Sequence, residues 1–136
     1  MDIEVIISHF RQVLRDVNAE AIRHGPKLGS PPTSLIVEQR AASSHPSFNT
    51  GAALRRWRVT TEAATDVAVD EPLSSEAISG LYYHCGRADF SLHEDARKVR
   101  IGWQVGPRYG RGYDLPIEHG PNGVARLGTA KPIWVS

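Results

Sequence analysis

The single cysteine of the chain, Cys85, stands directly after His84, with His9, His24, His45, His93 and His119 elsewhere. A Cys–His nucleophile needs an imidazolium close enough to stabilise the thiolate. Neighbouring residues on a strand point to opposite faces, so His84 cannot serve Cys85, and His93 or His119 would have to fold back to it. Beside Tyr82 and Tyr83, Cys85 reads as a small buried hydrophobe. Structural zinc needs paired ligands at close spacing. His93, Glu94 and Asp95 are consecutive donors that do not converge on one ion. No metal and no other cofactor is expected. The adjacent carboxylates Asp70–Glu71 and Glu94–Asp95 fall at expected turns and lack the apolar setting that would separate an acid from a base.

The glycine-rich run from Gly106 to Tyr113 is not a P-loop, which ends in Gly-Lys-Ser/Thr. It is not a dinucleotide fingerprint either, because the glycine spacing is wrong and no helix follows. It reads as a loop or bulged strand that offers backbone N–H groups beside Arg108 and Arg111, interleaved with Tyr109 and Tyr113. Arginine and tyrosine set among glycines can contact phosphates and stack on bases. The same residue types dominate protein interface hot spots. Together with Arg56, Arg58 and Arg100 on expected strands, these residues form the candidate binding set.

Charge is segregated along the chain. Glu62, Asp66, Asp70, Glu71 and Glu76 form a stretch without a base, and Arg97, Lys98, Arg100, Arg108 and Arg111 form one without an acid. Either neighbouring strands pair the two blocks across a sheet, or each block faces a charged partner.

These residues must be positioned by regular elements. Ile3, Ile6, Ile7, Phe10, Val13, Leu14, Val17, Ala21 and Ile22 repeat at helical spacing. The pattern predicts an amphipathic helix from Asp2, a candidate N-cap, to His24, stopped by Gly25 and Pro26. Lys98–Val105 alternates Val99, Ile101, Trp103 and Val105 with polar residues, and Ala88–His93 alternates likewise. With Glu94–Arg97 between them, they predict an antiparallel hairpin. Leu35–Ala41 and Arg56–Thr61 are expected strands; Val67 and Val69 continue the second after a bend near Ala63–Ala64 or form their own. Pro72–Gly80 is ambiguous, with Ser74 or Ser75 able to cap one helical turn. Leu81–Cys85 enters a strand, and Val124–Leu127 and Ile133–Val135 are weakly strand-like. The fold class is α+β: one long N-terminal helix packed on one face of a four- to six-stranded antiparallel sheet.

Length and composition agree with one domain over residues 1–136, long enough to bury a core without disulfides. A net charge of +1 gives no strong field toward nucleic acid or membrane. The basic residues are 3 Lys and 13 Arg, a skew that fits a GC-rich, bacterial genome or selection for guanidinium chemistry. The acidic start lacks the basic n-region of a signal peptide, and no window is apolar enough to span a membrane. One free cysteine fits a reducing, cytoplasmic setting. The reading that follows is a non-catalytic binding module: an adaptor, inhibitor, immunity protein or accessory subunit whose partner is another protein. The alternatives are a nucleic-acid-binding domain using the Arg/Tyr set, and a small Cys/His enzyme with a pocket between helix and sheet.

Overall fold

A computed structural model of the chain describes residues 3–24, 32–71, 85–93, 95, 97–106 and 109–135. Helical periodicity produces α1 (Ile3–His24). Its apolar stripe is buried at Ile6, Ile7, Phe10, Val13, Leu14, Val17 and Ala21. Ile22 departs from the expectation: in the last turn it has left the sheet and is 73% exposed. The expected caps at Asp2, Gly25 and Pro26, the Pro72–Gly80 turn and the Leu81–His84 strand entry lie outside the described residues.

Eight strands follow: β1 (Ser34–Arg40), β2 (Ala53–Val59), β3 (Ala64–Val67), β4 (Cys85–His93), β5 (Lys98–Gly106), β6 (Tyr109–His119), β7 (Ala125–Leu127) and β8 (Lys131–Val135). Among the described residues the architecture is α+β with one helix on a large, mostly antiparallel sheet, and the strand count exceeds the four to six expected. The sheet order is β3-β2-β1-β4-β5-β6-β7, with β8 also paired to β6. One pair, β1 with β4, is parallel.

Three local reasons explain the differences. β1 is central and its residues Ser34–Glu38 are all buried. Burial on both faces replaces the usual alternation with the apolar run Leu35-Ile36-Val37. The bend at Ala63 is a tight hairpin, with Thr60 Oγ1 accepting from the N–H groups of Glu62 and Ala63, which sets β3 apart from β2. Of the two readings of the glycine-rich segment, loop or bulged strand, the strand holds: it enters β6 at Tyr109, paired with β5 through Gly112↔Gly102 and Asp114↔Arg100 with a register shift between Gln104 and Gly106. Glycine is common in a strand where another group must lie close against the backbone, and here that group is Trp134.

The expected hairpin forms as β4 and β5 in the register Ala88↔Trp103, Phe90↔Ile101, Leu92↔Val99. Its turn includes Asp95 at a left-handed φ of 59°. Val99, Ile101, Trp103 and Val105 share one core with Ile6, Phe10, Val13, Val17, Val37, Trp57 and Phe90. Phe10 meets Phe90 at 6.1 Å, and Phe90 stacks on Trp57 at 5.9 Å between centroids. The alternate residues of the same strands therefore form a second, outer face turned away from α1.

Among the described residues the two charge blocks do not meet. β3, which carries part of the acidic stretch, is separated from β5 and β6 by β2, β1 and β4. Asp66 pairs with Arg55 at 3.1 Å, and Arg55 lies over the Trp57 ring. Arg100 and Lys98 of the basic block pair with Asp114 of β6.

Candidate functional site

The outer face gathers the polar halves of β1, β2, β4 and β5. Parallel pairing sets Glu38 beside Asp89, and antiparallel pairing sets Glu38 beside Arg56. Glu38 is buried and receives Arg56 Nη2 at 3.1 Å, Arg40 Nη2 at 3.3 Å and Arg87 Nη2 at 3.4 Å. Burial alone would push its carboxyl up. The Arg56 hydrogen bond and the charges of Arg40, Arg56 and Arg87 outweigh that and hold it below the usual glutamate range.

Asp89 goes the other way. Desolvation raises its carboxyl above the ordinary aspartate range, and the neighbouring Glu38 charge adds to the effect. The hydrogen bond from Asn49 and the charges of Arg40 and Arg87 only partly offset this. Two carboxyls in adjacent register positions are thus driven apart by their surroundings, the setting that the turn carboxylates lack.

Residues 41–52 cross this face and are pinned to it. Asn49 Nδ2 donates to Asp89 Oδ1 at 2.6 Å and to the Arg100 carbonyl at 3.2 Å. Asn49 Oδ1 accepts from the Ser91 hydroxyl, which also bonds the His93 ring. Arg100 Nη1 holds the His45 carbonyl at 2.9 Å. His45 Nδ1 accepts from the backbone N–H groups of Ser47 and Phe48, and the two rings sit 5.0 Å apart. The result is an exposed Phe48 on a fixed mount, 6.0 Å from Trp134. Beside these rings opens a cleft of about 320 Å³, lined by both of them and by Arg40, Arg87, Asp89 and Gln104.

The chain matches no known protein family, no curated protein and no solved structure. Its function must be read from the site itself.

The residues selected from sequence divide between two faces. Arg56 and Arg100 are outward but buried: Arg56 binds Glu38 and the carbonyls of Ala68 and Glu71, and Arg100 holds Asp114 through two nitrogens. Arg58 is exposed and donates to Ser34 Oγ. Tyr109, Arg111 and Tyr113 belong to the helix side, where they line a groove of about 680 Å³ between α1 and β6/β8. There Tyr109 packs edge-on against Trp103, and the Tyr113 hydroxyl bonds His9 Nε2 at 2.7 Å. Burial lowers the His9 imidazole and raises the Tyr113 phenol, so the pair is neutral at physiological pH. Arg111 is exposed. Arg108 and the side chain of Cys85 lie outside the described residues. Among those described, no three His, Cys, Asp or Glu side chains gather as metal ligands, and no helix is long and apolar enough to cross a membrane.

Sequence reasoning missed Glu38, Arg40, Phe48, Asn49, Arg87, Asp89 and Trp134. One signal was available: the alternation that buries Ala88 and Phe90 places Arg87, Asp89 and Ser91 together on the opposite face. Nothing local marks Phe48, Asn49 or Trp134, which reach the site through long-range contacts.

Proposed function

We propose that this protein is a small, non-catalytic binding module that recognises another protein through the outer face of its sheet. The observation that carries the reading is the mounting of Phe48. A ring 49% exposed is held in place by a loop bonded to Asp89, Ser91 and Arg100, next to Trp134 and to the arginines of β1 and β4. Aromatic and arginine side chains dominate interface hot spots. A rigid mount supports affinity because little conformational freedom is lost on binding. The residue types are those expected of the module from sequence, but their centre lies at Phe48, Arg87 and Trp134.

Affinity capture from the native host, with and without nuclease and with mass-spectrometric identification, tests the reading. The expected result is a protein partner that survives nuclease treatment. Recovery should be at least about tenfold weaker for the double variant Phe48→Ala/Arg87→Ala, or roughly 1.4 kcal/mol, and unchanged for Arg111→Ala on the helix side. Recovery that disappears with nuclease would favour a nucleic-acid surface built on the same arginines. Loss confined to Arg111→Ala would move the interface to the helix–sheet groove.

A further inference from the structure

We infer that the outer-face cleft takes a carboxylate side chain from an acidic segment of the partner, held by Arg87 and the charge of Arg40 beside the rings of Phe48 and Trp134. This inference rests on the reading of the outer face as a docking surface and names the chemistry of what docks there.

The charge balance of the face is the first support. Outward positions of β1, β2, β4 and β5 carry the cations Arg40, Arg56, Arg58, Arg87, Lys98 and Arg100. The acids of this face on β1, β4 and β6 are Glu38, Asp89, Asp114 and Glu118, the last paired with Arg126 of β7. The exposed side of α1 is balanced by contrast, with Glu4, Asp16 and Glu20 against Arg11, Arg15 and Arg23. A net charge near zero for the whole chain therefore conceals a positive surface on one side of the sheet. A field of this sign favours an acidic partner and speeds its approach.

Donor geometry is the second support. Arg87 contacts Glu38 by one long bond of 3.4 Å, and its side chain is 42% exposed. A guanidinium carries five N–H donors and suits bidentate carboxylate recognition. Arg40 gives one terminal nitrogen to the Gly51 carbonyl and the other to Glu38. Its Nε lies 3.8 Å from Asp89 Oδ2, so Arg40 lines the cleft as a charge rather than as a free donor. A carboxylate entering the cleft offers oxygens to Arg87 and meets the charge of Arg40. The flanking rings of Phe48 and Trp134 cover the methylene stem of an aspartate or glutamate, and a volume of about 320 Å³ suits a side chain rather than a folded element.

Asp89 supplies the discriminating test. It repels an incoming carboxylate but would anchor an incoming cation. Replacing it by asparagine removes the charge, and the new amide oxygen can still accept from Asn49. Substitution must therefore strengthen an anion in this cleft and weaken a cation.

The experiment uses the full chain labelled with ¹⁵N, titrated with hexaglutamate, hexalysine or the single-stranded oligonucleotide (dT)10. The readouts are the Trp134 indole N–H and the Gly102 amide. Hexaglutamate is expected to shift both saturably at low salt. Its binding should be at least about tenfold weaker in Arg87→Ala, tighter in Asp89→Asn and unchanged in Arg111→Ala. Hexalysine binding that Asp89→Asn abolishes would overturn the proposal in favour of a cation site. Tighter binding of (dT)10 at the same resonances would overturn it in favour of nucleic acid. Equal weakening by Arg87→Ala and Arg111→Ala would reduce the effect to diffuse charge attraction and sink the cleft. If hexaglutamate leaves the cleft unmoved while the Phe48→Ala/Arg87→Ala variant still loses the captured partner, the acidic chemistry falls and the docking face stands. If that variant keeps the partner as well, both fall.

Discussion

The indole of Trp134 lies against Gly112, and the absence of a side chain at residue 112 is what permits it. A Cβ built there would overlap the indole Nε1, Cδ1 and Cε2 atoms. Gly102, opposite Gly112 in the register, extends the same bare floor: a Cβ there would come within 3.4 Å of Trp134 Cζ2 and 3.2 Å of Asp89 Oδ1. Two glycines on adjacent strands thus let a residue of β8 become a wall of the cleft.

Gly112→Ala should displace Trp134 and separate it from Phe48. Overpacking of this kind costs about 1–3 kcal/mol. Denaturant unfolding would show the loss, and tryptophan fluorescence would report a more exposed indole. Unchanged stability and fluorescence would mean that Trp134 does not depend on the glycine floor.

Phe10→Ala tests the packing of α1 on the sheet. Phe10 is fully buried against Phe90 and the hydrophobic core. Truncation of a buried phenylalanine costs about 3–5 kcal/mol. A measured change below about 1 kcal/mol, the range typical of surface sites, would contradict this packing.

Asp89 and Asp114 should show opposite pH behaviour. The Asp114 carboxyl feels burial, which pushes it up, but the hydrogen bond and charge of Arg100 and the charge of Lys98 hold it below the ordinary aspartate range. A lowered acid contributes stability above its unfolded value and loses it as pH falls through its folded value. Asp114→Ala leaves Arg100 buried without its partner and should cost about 3–5 kcal/mol at neutral pH. The deficit should shrink in acid, where the wild type loses the same contribution. Asp89 is raised, so between its unfolded and folded values the folded state binds more protons. Stability therefore falls as pH rises through that window. Asp89→Asn should remove this fall and leave the protein more stable at neutral pH. Urea unfolding of both variants from pH 3 to 8 measures the two slopes; slopes of the same sign would refute the assignment.

Asn49 is the pin of the crossing segment, bonded to Asp89, Ser91 and the Arg100 carbonyl. Asn49→Ala leaves the fully buried Ser91 hydroxyl with the His93 ring as its remaining partner and Asp89 without its hydrogen-bond donor. A cost of about 1–3 kcal/mol is expected for polar groups left unsatisfied in this way. Hydrogen exchange should quicken from 41 to 52, where Ala41 N donates to the Ala52 carbonyl at 2.9 Å and closes the loop. Unchanged exchange there would show that Asn49 is not the pin and that the bonds from Arg100 and Arg40 suffice to hold the segment.

The sequence by itself determined the helix, the β4–β5 hairpin and the α+β class. Those features rest on local periodicity: Phe10 and Val13 fall on one side of a 3.6-residue turn, and Val99, Ile101 and Trp103 on one side of a pleat. It also contained the outward parity of Arg87, Asp89 and Ser91, although nothing local said that the face mattered. Tertiary structure decided the rest. β6 was hard to read because Gly110 and Gly112 break local strand propensity, and the reason for Gly112 is a tryptophan 22 residues downstream. Arg56 and Arg100 had the composition of surface anchors, yet pairing with Glu38 and Asp114 makes them interior ties. Tyr109 and Tyr113 turn toward α1 because β6 continues the pleat of β5, which a loop would not. The pairing of β1 with β2 and β4 set Glu38 among Arg40, Arg56 and Arg87, which lower its carboxyl, and buried Asp89 beside it, where desolvation first and the Glu38 charge second raise the aspartate. Periodicity is carried by neighbours along the chain, but register, burial and charge pairing depend on which distant segments the fold brings side by side.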